Sequence, residues 1–319
     1  MQDQTNLAIA ALKFFSPIEY EKNCEITGHA PTPGRTEPLD GSKLLTYLEK
    51  TGALFEPRRY QVRIAELLSR LERAGLLIPF GQGNDLFLGK KYYFLKEFTT
   101  LEKKGLLWLS EALGPQFVRS QYASITVQIT GETEAGDVHA GTGLAIAPNC
   151  ILTCAHVIRD MTVYDTQQFG GQSYQVIDVL PHESIDVGLV KVEPTLQVLP
   201  SLAFRDPCLA DQLYTLGYPR VPLARSAPLV MQSGEVTSPE VTLLHGPEVF
   251  LYSAIARPGN SGGPIISASG HVLGIVTEEL TAESARLSLP FHAGIKASTI
   301  NSVVGEIDES IILPIEDYE

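Results

Sequence analysis

The chain has 319 residues with 37 acidic and 24 basic side chains, a formal net charge of −13, and 44 % hydrophobic and 19 % charged residues. That composition excludes a disordered, collagen-like or coiled-coil chain, and the length predicts two domains. Residues 1–120 carry 16 basic and 14 acidic groups, leaving 8 and 23 for the rest, or +2 against −15. An acidic majority argues against a nucleic-acid coat for the whole chain but leaves the N-terminal third free to differ.

No stretch approaches the roughly 20 uncharged apolar residues of a membrane span, so no membrane partner is expected. The first six residues hold Asp3 and no basic group, and Lys13 interrupts the apolar run Leu7 to Phe15, which argues against a secretory signal. Residues 1–36 are therefore assigned as an N-terminal extension. Cys24, Cys150, Cys154 and Cys208 have neither metal-ligand spacing nor the ladder of a disulfide scaffold, which predicts reduced thiols and a cytoplasmic location. Cys150 and Cys154 lie four apart without a matching pair, so no zinc site is expected there, and no metal or cofactor elsewhere.

Over residues 37–98, Asp40 and Ser42 offer N-caps for a helix carrying Leu44, Leu45 and Leu48 that ends near Gly52. A second helix is predicted from Arg59 to Ala74, with Ile64, Leu67, Leu68 and Leu71 on one stripe and Gly75 as its stop. Leu76–Phe80, a Gly-rich turn and Leu86–Leu95 read as a hairpin. Helix, helix, hairpin is the order of a winged helix-turn-helix, and RIAELLSRLERAGLL resembles the recognition helix and following strand of bacterial winged-helix domains, with Lys90 and Lys91 on the wing. At 100° per residue Arg59, Arg63, Arg70 and Arg73 share one face, the kind a groove-entering helix turns to phosphates. Glu66 lies among them, and a salt-bridged solvated surface is the preferred reading, with DNA binding or protein docking as the alternatives. Residues 99–121 are predicted to form one connector helix stopped at Gly114-Pro115, with Trp108 as a packing anchor.

From Tyr122 on, short β-branched runs with turn residues between them predict an all-β barrel region over residues 122–304. Three of its segments carry chemistry. GTGLAIAPNCILTCAHVI delivers His156 at the end of an apolar strand, PHESIDVGLVKV opens another with Asp186, and ARPGNSGGPII packs Ser261 between glycines. A buried acid at a strand start needs a partner, and a histidine supplies one. The order His, Asp, Ser is that of chymotrypsin-type proteases. TCAH resembles the family's TAAH, DVGLVKV its D-[IV]-A-L-[LIV]-K-[LIV] strand, and GNSGGP its GDSGGP loop. LYTLGYP, MQSGEVT and Asn260 resemble the HtrA/DegP-like branch, without its PDZ module. The whole is thus a multidomain α+β chain: a winged-helix-like α/β domain followed by an all-β double barrel of the chymotrypsin type.

The resemblance implies an intracellular serine endopeptidase acting on protein substrates. Ser261 is the nucleophile, His156 its general base and then acid, and Asp186 the group that fixes the imidazole tautomer. The N–H groups of Gly259 and Ser261 form the oxyanion hole, while Gly262 and Gly263 keep the approach clear. By family offset Ile255 lies at the floor of the specificity pocket, Thr277, Glu278 and Glu279 along its wall, and Phe291 and His292 in the opposite wall or the core. Val157 stands where the secreted branch has a disulfide cysteine. Asn260 stands where zymogens have an ion-pairing Asp, so control is expected through the winged-helix domain, its protein partner or loop ordering. Such architectures resemble prokaryotic stress or anti-phage effectors. The rival from another class is a DNA-binding regulator with a protease-derived sensor or self-cleaving switch. The last fourteen residues hold six acids and no base, and residues 305–319 are expected to be a solvated acidic tail, with an autoinhibitory or docking strand as the alternative. The acidity of the second domain predicts basic substrates around the cleft.

Overall fold

The computed structural model describes residues 2–85, 87–244, 248–277 and 291–316. Its chain divides into two compact units: Met1–Thr99 with Glu111–Gln116, and Thr100–Ser110 with Phe117–Glu319.

The first unit contains helices α1 (Gln2–Phe14), α2 (Tyr20–Thr27), α3 (Gly41–Lys50) and α4 (Gln61–Arg73), and strands β1 (Leu39–Asp40), β2 (Ile78–Gln82) and β3 (Lys90–Tyr93), paired antiparallel in the order β1-β3-β2. Asp40 caps α3, its carboxylate accepting from the Lys43 N–H at 3.1 Å. The predicted stripe Ile64, Leu67, Leu68 and Leu71 is buried along α4. The residues assigned to an extension belong to this core. Ala8, Ala11, Leu12 and Phe14 of α1 are buried, the Phe14 ring meets Tyr47 at 5.1 Å, and the Phe15 ring meets Tyr92 edge-on at 5.2 Å. The apolar run Leu7 to Phe15 supplies the buried face of α1.

The proposed basic face is partly dispersed. Pro57 opens a 3₁₀ turn over Pro57–Tyr60, so α4 begins at Gln61 and Arg59 lies outside it, paired with Glu56 at 2.7 Å. The Arg70 guanidinium donates to the Ala112 carbonyl at 2.7 Å and that of Arg73 to Ser69 at 3.3 Å, while Arg63 stays exposed. Lys90 pairs with Glu72 at 2.8 Å. The stretch expected as one connector helix is four short pieces: 3₁₀ turns Glu102–Lys104 and Leu107–Leu109, then α5 (Ser110–Leu113) and α6 (Pro115–Tyr122). Trp108 is half-buried and donates to the Gly105 carbonyl at 3.0 Å.

In the second unit, β4 (Thr126–Glu132), β5 (Val138–Ala147), β6 (Cys150–Thr153), helix α7 (Ala155–Arg159), β7 (Thr162–Val163), β8 (Thr166–Phe169), β9 (Gln172–Pro181) and β10 (Gly188–Glu193) come first. Their strands form a seven-stranded sheet in the order β7-β4-β5-β6-β10-β9-β8. Then β11 (Gln212–Gly217), β12 (Val230–Thr242), β13 (Glu248–Tyr252), β14 (Pro264–Ser267), β15 (Val272–Val276) and β16 (His292–Lys296) close a barrel in the order β11-β12-β13-β16-β15-β14, followed by α8 (Ala297–Ile307). The first sheet is linked across its gap by one side chain. The buried amide of Gln167 on β8 accepts from the Thr130 N–H on β4 and donates to the Thr130 carbonyl, both at 2.9 Å, standing in for a peptide of the missing ladder.

The described residues after α8, 308–316, are held against the second unit at several points. Asp308 pairs with Lys191 at 2.5 Å, Leu313 is buried, and Phe204 exchanges backbone hydrogen bonds with Pro314 and Glu316 at 2.9 and 2.8 Å. Beneath it lies the buried His271, whose Nε2 is 3.6 Å from Glu316 Oε2 and whose Nδ1 faces the Ser269 hydroxyl at 3.0 Å. Burial, and then the nearby Arg205 guanidinium, push its pKa down to about 4 against the pull of Glu316 and Glu102.

Two predictions follow from these buried polar groups. Gln167→Ala leaves the Thr130 N–H without its partner, while the Thr130 carbonyl keeps the Tyr164 N–H at 3.1 Å, and lowers unfolding stability by about 1–2 kcal/mol in urea melts; an unchanged midpoint would show that the sheet needs no such bridge. An unfolded histidine titrates near 6.5, so between about pH 6.5 and 4 the unfolded chain holds a proton that folded His271 refuses. This contribution therefore costs stability as pH falls through that window, by up to about 3 kcal/mol, and His271→Gln is expected to lose less stability than wild type between pH 7 and pH 4.5.

Candidate active site

The groups singled out by sequence come from different strand ends of the second unit. His156 follows β6 as the second residue of α7, and Asp186 sits in the turn leading into β10. That turn is held by another histidine: the Ile185 N–H donates to His182 Nδ1 at 3.0 Å, and the His182 N–H donates to the Val187 carbonyl at 2.9 Å. Asp186 is thereby aimed at His156, with Oδ1 accepting the His156 N–H and Oδ2 facing the ring Nδ1, both at 2.8 Å. The Thr277 hydroxyl, just past β15, donates to Oδ2 at 2.6 Å. Burial raises the Asp186 pKa, but the imidazole, the backbone N–H and the Thr277 hydroxyl outweigh it and hold the carboxyl below its ordinary value. An ionised carboxylate facing Nδ1 fixes the tautomer with the proton there and leaves Nε2 as the basic nitrogen.

Ser261 lies in the loop before β14 and is half-buried. Its carbonyl accepts the Thr142 N–H at 2.9 Å, while the next residue, Gly262, donates to Val276 at 2.8 Å. Gly262 has φ +80°, and a methyl group there would lie 2.2 Å from the Thr142 carbonyl oxygen and 2.9 Å from the Cys154 nitrogen, so only glycine lets the Ser261 loop press against the strand end that carries His156. Its role is this close approach rather than clearance for substrate. Gly263 is packed likewise against Leu216. The His156–Asp186 half of the constellation is hydrogen-bonded, whereas the Ser261 hydroxyl bonds to no described residue.

The turn before Ser261 exposes donors. Asn260 N donates to Arg257 O at 2.9 Å across a turn in which Gly259 has φ +99°, and the Gly259 carbonyl is tied to the Thr142 hydroxyl at 2.6 Å. The Pro258 carbonyl is directed to the Arg220 N–H at 3.4 Å, so the Gly259 N–H of the same peptide points the opposite way. The N–H groups of Gly259 and Ser261 donate to no acceptor among the described residues. Two unspent donors beside a serine are what a developing oxyanion needs.

Sequence reasoning missed Thr142, Cys154 and His182. Thr142 binds Ser261, Gly259 and, through its hydroxyl, the Tyr218 N–H at 2.9 Å; the only signal in the sequence is a threonine set between two glycines on a strand. Cys154 is fully buried, with Sγ donating to the Val276 carbonyl at 3.1 Å, and its donor atom lies within 4.8 Å of those of His156 and Asp186. The specificity residues are less gathered. Thr277 spends its hydroxyl on Asp186, Ile255 is 50 % exposed, and Glu278 and Glu279 lie outside the described residues. Phe291 is exposed, and the His292 ring stacks on Tyr252 with centroids 6.1 Å apart. A groove lined by Asp137, His139, Tyr218, Arg220, Arg225 and Gly259 opens at the donor turn. Among its described lining residues Arg220 and Arg225 stand with one acid, Asp137.

Known proteins resemble this chain over part of its length. The serine protease Rv3671c of Mycobacterium tuberculosis is 29 % identical over 144 residues, 43 % of this chain and 35 % of that protein. The uncharacterized protein y4bJ of Sinorhizobium fredii is 29 % identical over 151 residues, 46 % of this chain and 23 % of its own length, and the serine protease HTRA1 of Xenopus tropicalis is 27 % identical over 149 residues, 45 % and 32 %. The chain thus spans about a third or less of the curated relatives it matches. Among solved structures, the active form of the Rv3671c protease superposes with a TM-score of 0.51 at 23 % identity, covering 60 % of this chain and 84 % of that one. Residues 141–275 match the family model of the trypsin-like peptidase domain, a stretch that holds His156, Asp186 and Ser261 and lies within the second unit, whose β-barrel fold is that of the solved protease.

Proposed function

We propose that the chain is a serine endopeptidase in which Ser261 attacks a peptide carbonyl. The observation that carries this is the carboxylate of Asp186, ionised and holding His156 by backbone and ring, beside a serine loop with two unspent N–H donors. His156 Nε2 takes the Ser261 proton as the serine oxygen bonds to the carbonyl carbon, and the Gly259 and Ser261 N–H groups stabilise the oxyanion. The same imidazole returns that proton to the leaving amine as the C–N bond breaks, giving an acyl-enzyme that water cleaves by the reverse proton path. The Ser261 hydroxyl closes onto Nε2 when substrate fills the cleft, as is common where a substrate-free site is loose. Thr277 is a positioning residue, acting through Asp186. Protein substrates follow from the family, and the groove with Arg220 and Arg225 favours acidic or neutral residues beside the scissile bond.

The first unit serves as a regulatory domain of the winged-helix kind that recruits or senses a protein partner. Support comes from α3 and α4 followed by the β2–β3 hairpin, with β1 completing the order β1-β3-β2. Protein docking is preferred to DNA because Arg59 and Arg70 are engaged elsewhere on the unit. A cytoplasmic location agrees with four cysteines that lack the spacing of a disulfide scaffold and with Val157 at the disulfide position of secreted relatives. A prokaryotic stress or anti-phage role fits a peptidase joined to a sensing module.

A fluorophosphonate probe is expected to label wild type and not Ser261→Ala, and proteome-wide cleavage profiling of the two to report the substrates; no labelling of wild type, even with cell extract added, sinks the enzyme. Asp186→Asn is expected to lower kcat by about 10⁴-fold, and Asp186 to add no limb to the activity profile above about pH 4, since its carboxyl sits below the ordinary value. The full chain is expected to show no salt-dependent retention of duplex DNA; retention that falls with salt and is lost in Arg63→Ala would replace the docking role with DNA binding.

A further inference from the structure

Cys154 is a buried thiol that the peptidase chemistry does not use, yet its sulfur lies close to the His156–Asp186 pair. Sγ, one imidazole nitrogen and one carboxylate oxygen all lie within 4.8 Å of one another, and the nitrogen facing Asp186 is Nδ1. Thiolate, imidazole and carboxylate form a donor set suited to zinc, and three protein ligands leave the fourth tetrahedral position for water. Resting on the peptidase reading above, we propose that Cys154 Sγ, His156 Nδ1 and Asp186 Oδ2 form an inhibitory site for a zinc-class divalent cation.

The surroundings allow it. Ligand bonds of about 2.0–2.3 Å ask the Nδ1–Oδ2 pair, now 2.8 Å apart, to open slightly, and the sulfur to close in. In turning to the metal, Cys154 releases the Val276 carbonyl, which keeps the Gly262 N–H at 2.8 Å and is not orphaned. Asp186 Oδ1 retains the His156 N–H, and the Thr277 hydroxyl still orients the ligating carboxylate from outside the metal shell. The side chains of His156 and Asp186 are 21 % and 24 % exposed, so a hydrated cation arrives from the cleft.

The consequence for catalysis follows from proton balance. Binding expels the Cys154 thiol proton to solvent and moves the ring proton from Nδ1 to Nε2. A metal-bound neutral imidazole then holds its one proton on Nε2, has no lone pair for the Ser261 proton, and cannot act as base. Removing the cation restores the tautomer and the activity.

The test is cobalt spectroscopy on the full chain, oxygen-free and without thiol reductants, because it needs no turnover. Co²⁺ is expected to bind one to one with a near-ultraviolet thiolate-to-cobalt band that Zn²⁺ displaces, unchanged in Cys208→Ser and absent in Cys154→Ala. Cys154→Ser keeps the side-chain size and serves if the alanine variant does not fold. Zn²⁺ is expected to inhibit peptide cleavage reversibly, EDTA restoring the rate, and the inhibiting concentration to rise at least about tenfold in the folded Cys154 variant, each protein being scaled to its own metal-free rate. No thiolate band, a band that survives loss of Cys154, or unchanged zinc sensitivity overturns the proposal. The band in a protein that cleaves nothing upholds the site and sinks the peptidase instead.

Discussion

The hydrogen bonds around Thr142 are the constraint on which the site depends. Its N–H holds the Ser261 carbonyl, its hydroxyl donates to Gly259 and accepts from Tyr218, and its carbonyl accepts the Thr153 hydroxyl at 2.7 Å. Thr142 belongs to the first sheet, while Tyr218, Gly259 and Ser261 lie in loops of the closed barrel, so one fully buried residue helps tie together the halves that carry His156 and Ser261. Because it spends backbone and side-chain groups together, a small displacement of either half breaks several bonds at once, which favours one geometry over a range of them.

The same economy governs the charge. A carboxylate three quarters removed from water is costly unless donors surround it, and Asp186 has three: a backbone N–H, a ring N–H and the Thr277 hydroxyl. Two come from the residue it must orient and the third from the opposite barrel, so the groups that keep Asp186 ionised are also those that aim His156. Stability of the charged form and catalytic geometry are one arrangement here. Gln167 repeats the logic far from the site, with a side-chain amide completing backbone pairing where the strands part.

Local chemistry was legible in the sequence where a residue acts on its neighbours in the chain. The α4 stripe, the Asp40 cap and the three flanked residues His156, Asp186 and Ser261 all announce themselves by spacing or by adjacent glycines. What escaped depends on contacts between distant segments. Thr142 looks like an ordinary strand residue until Gly259 and Ser261, more than a hundred positions away, meet it. Cys154 showed no ligand spacing because its companions are His156, at an uninformative distance, and Asp186, thirty residues on. The first helix was set apart because its apolar run was weighed only against a leader, and for residues 308–316 acidity was given more weight than the docking strand kept as the alternative, although Leu313 and the Lys191 pair hold them down.

Net charge and local charge act over different ranges. A total of −15 describes a whole surface, but ions screen exposed charges beyond about 8–10 Å. Arg220 and Arg225 line the groove beside Gly259 together with one acid, Asp137. At that range the groups of the groove act on a neighbouring charge more strongly than acids elsewhere on the unit, whereas bulk acidity governs solubility and long-range approach.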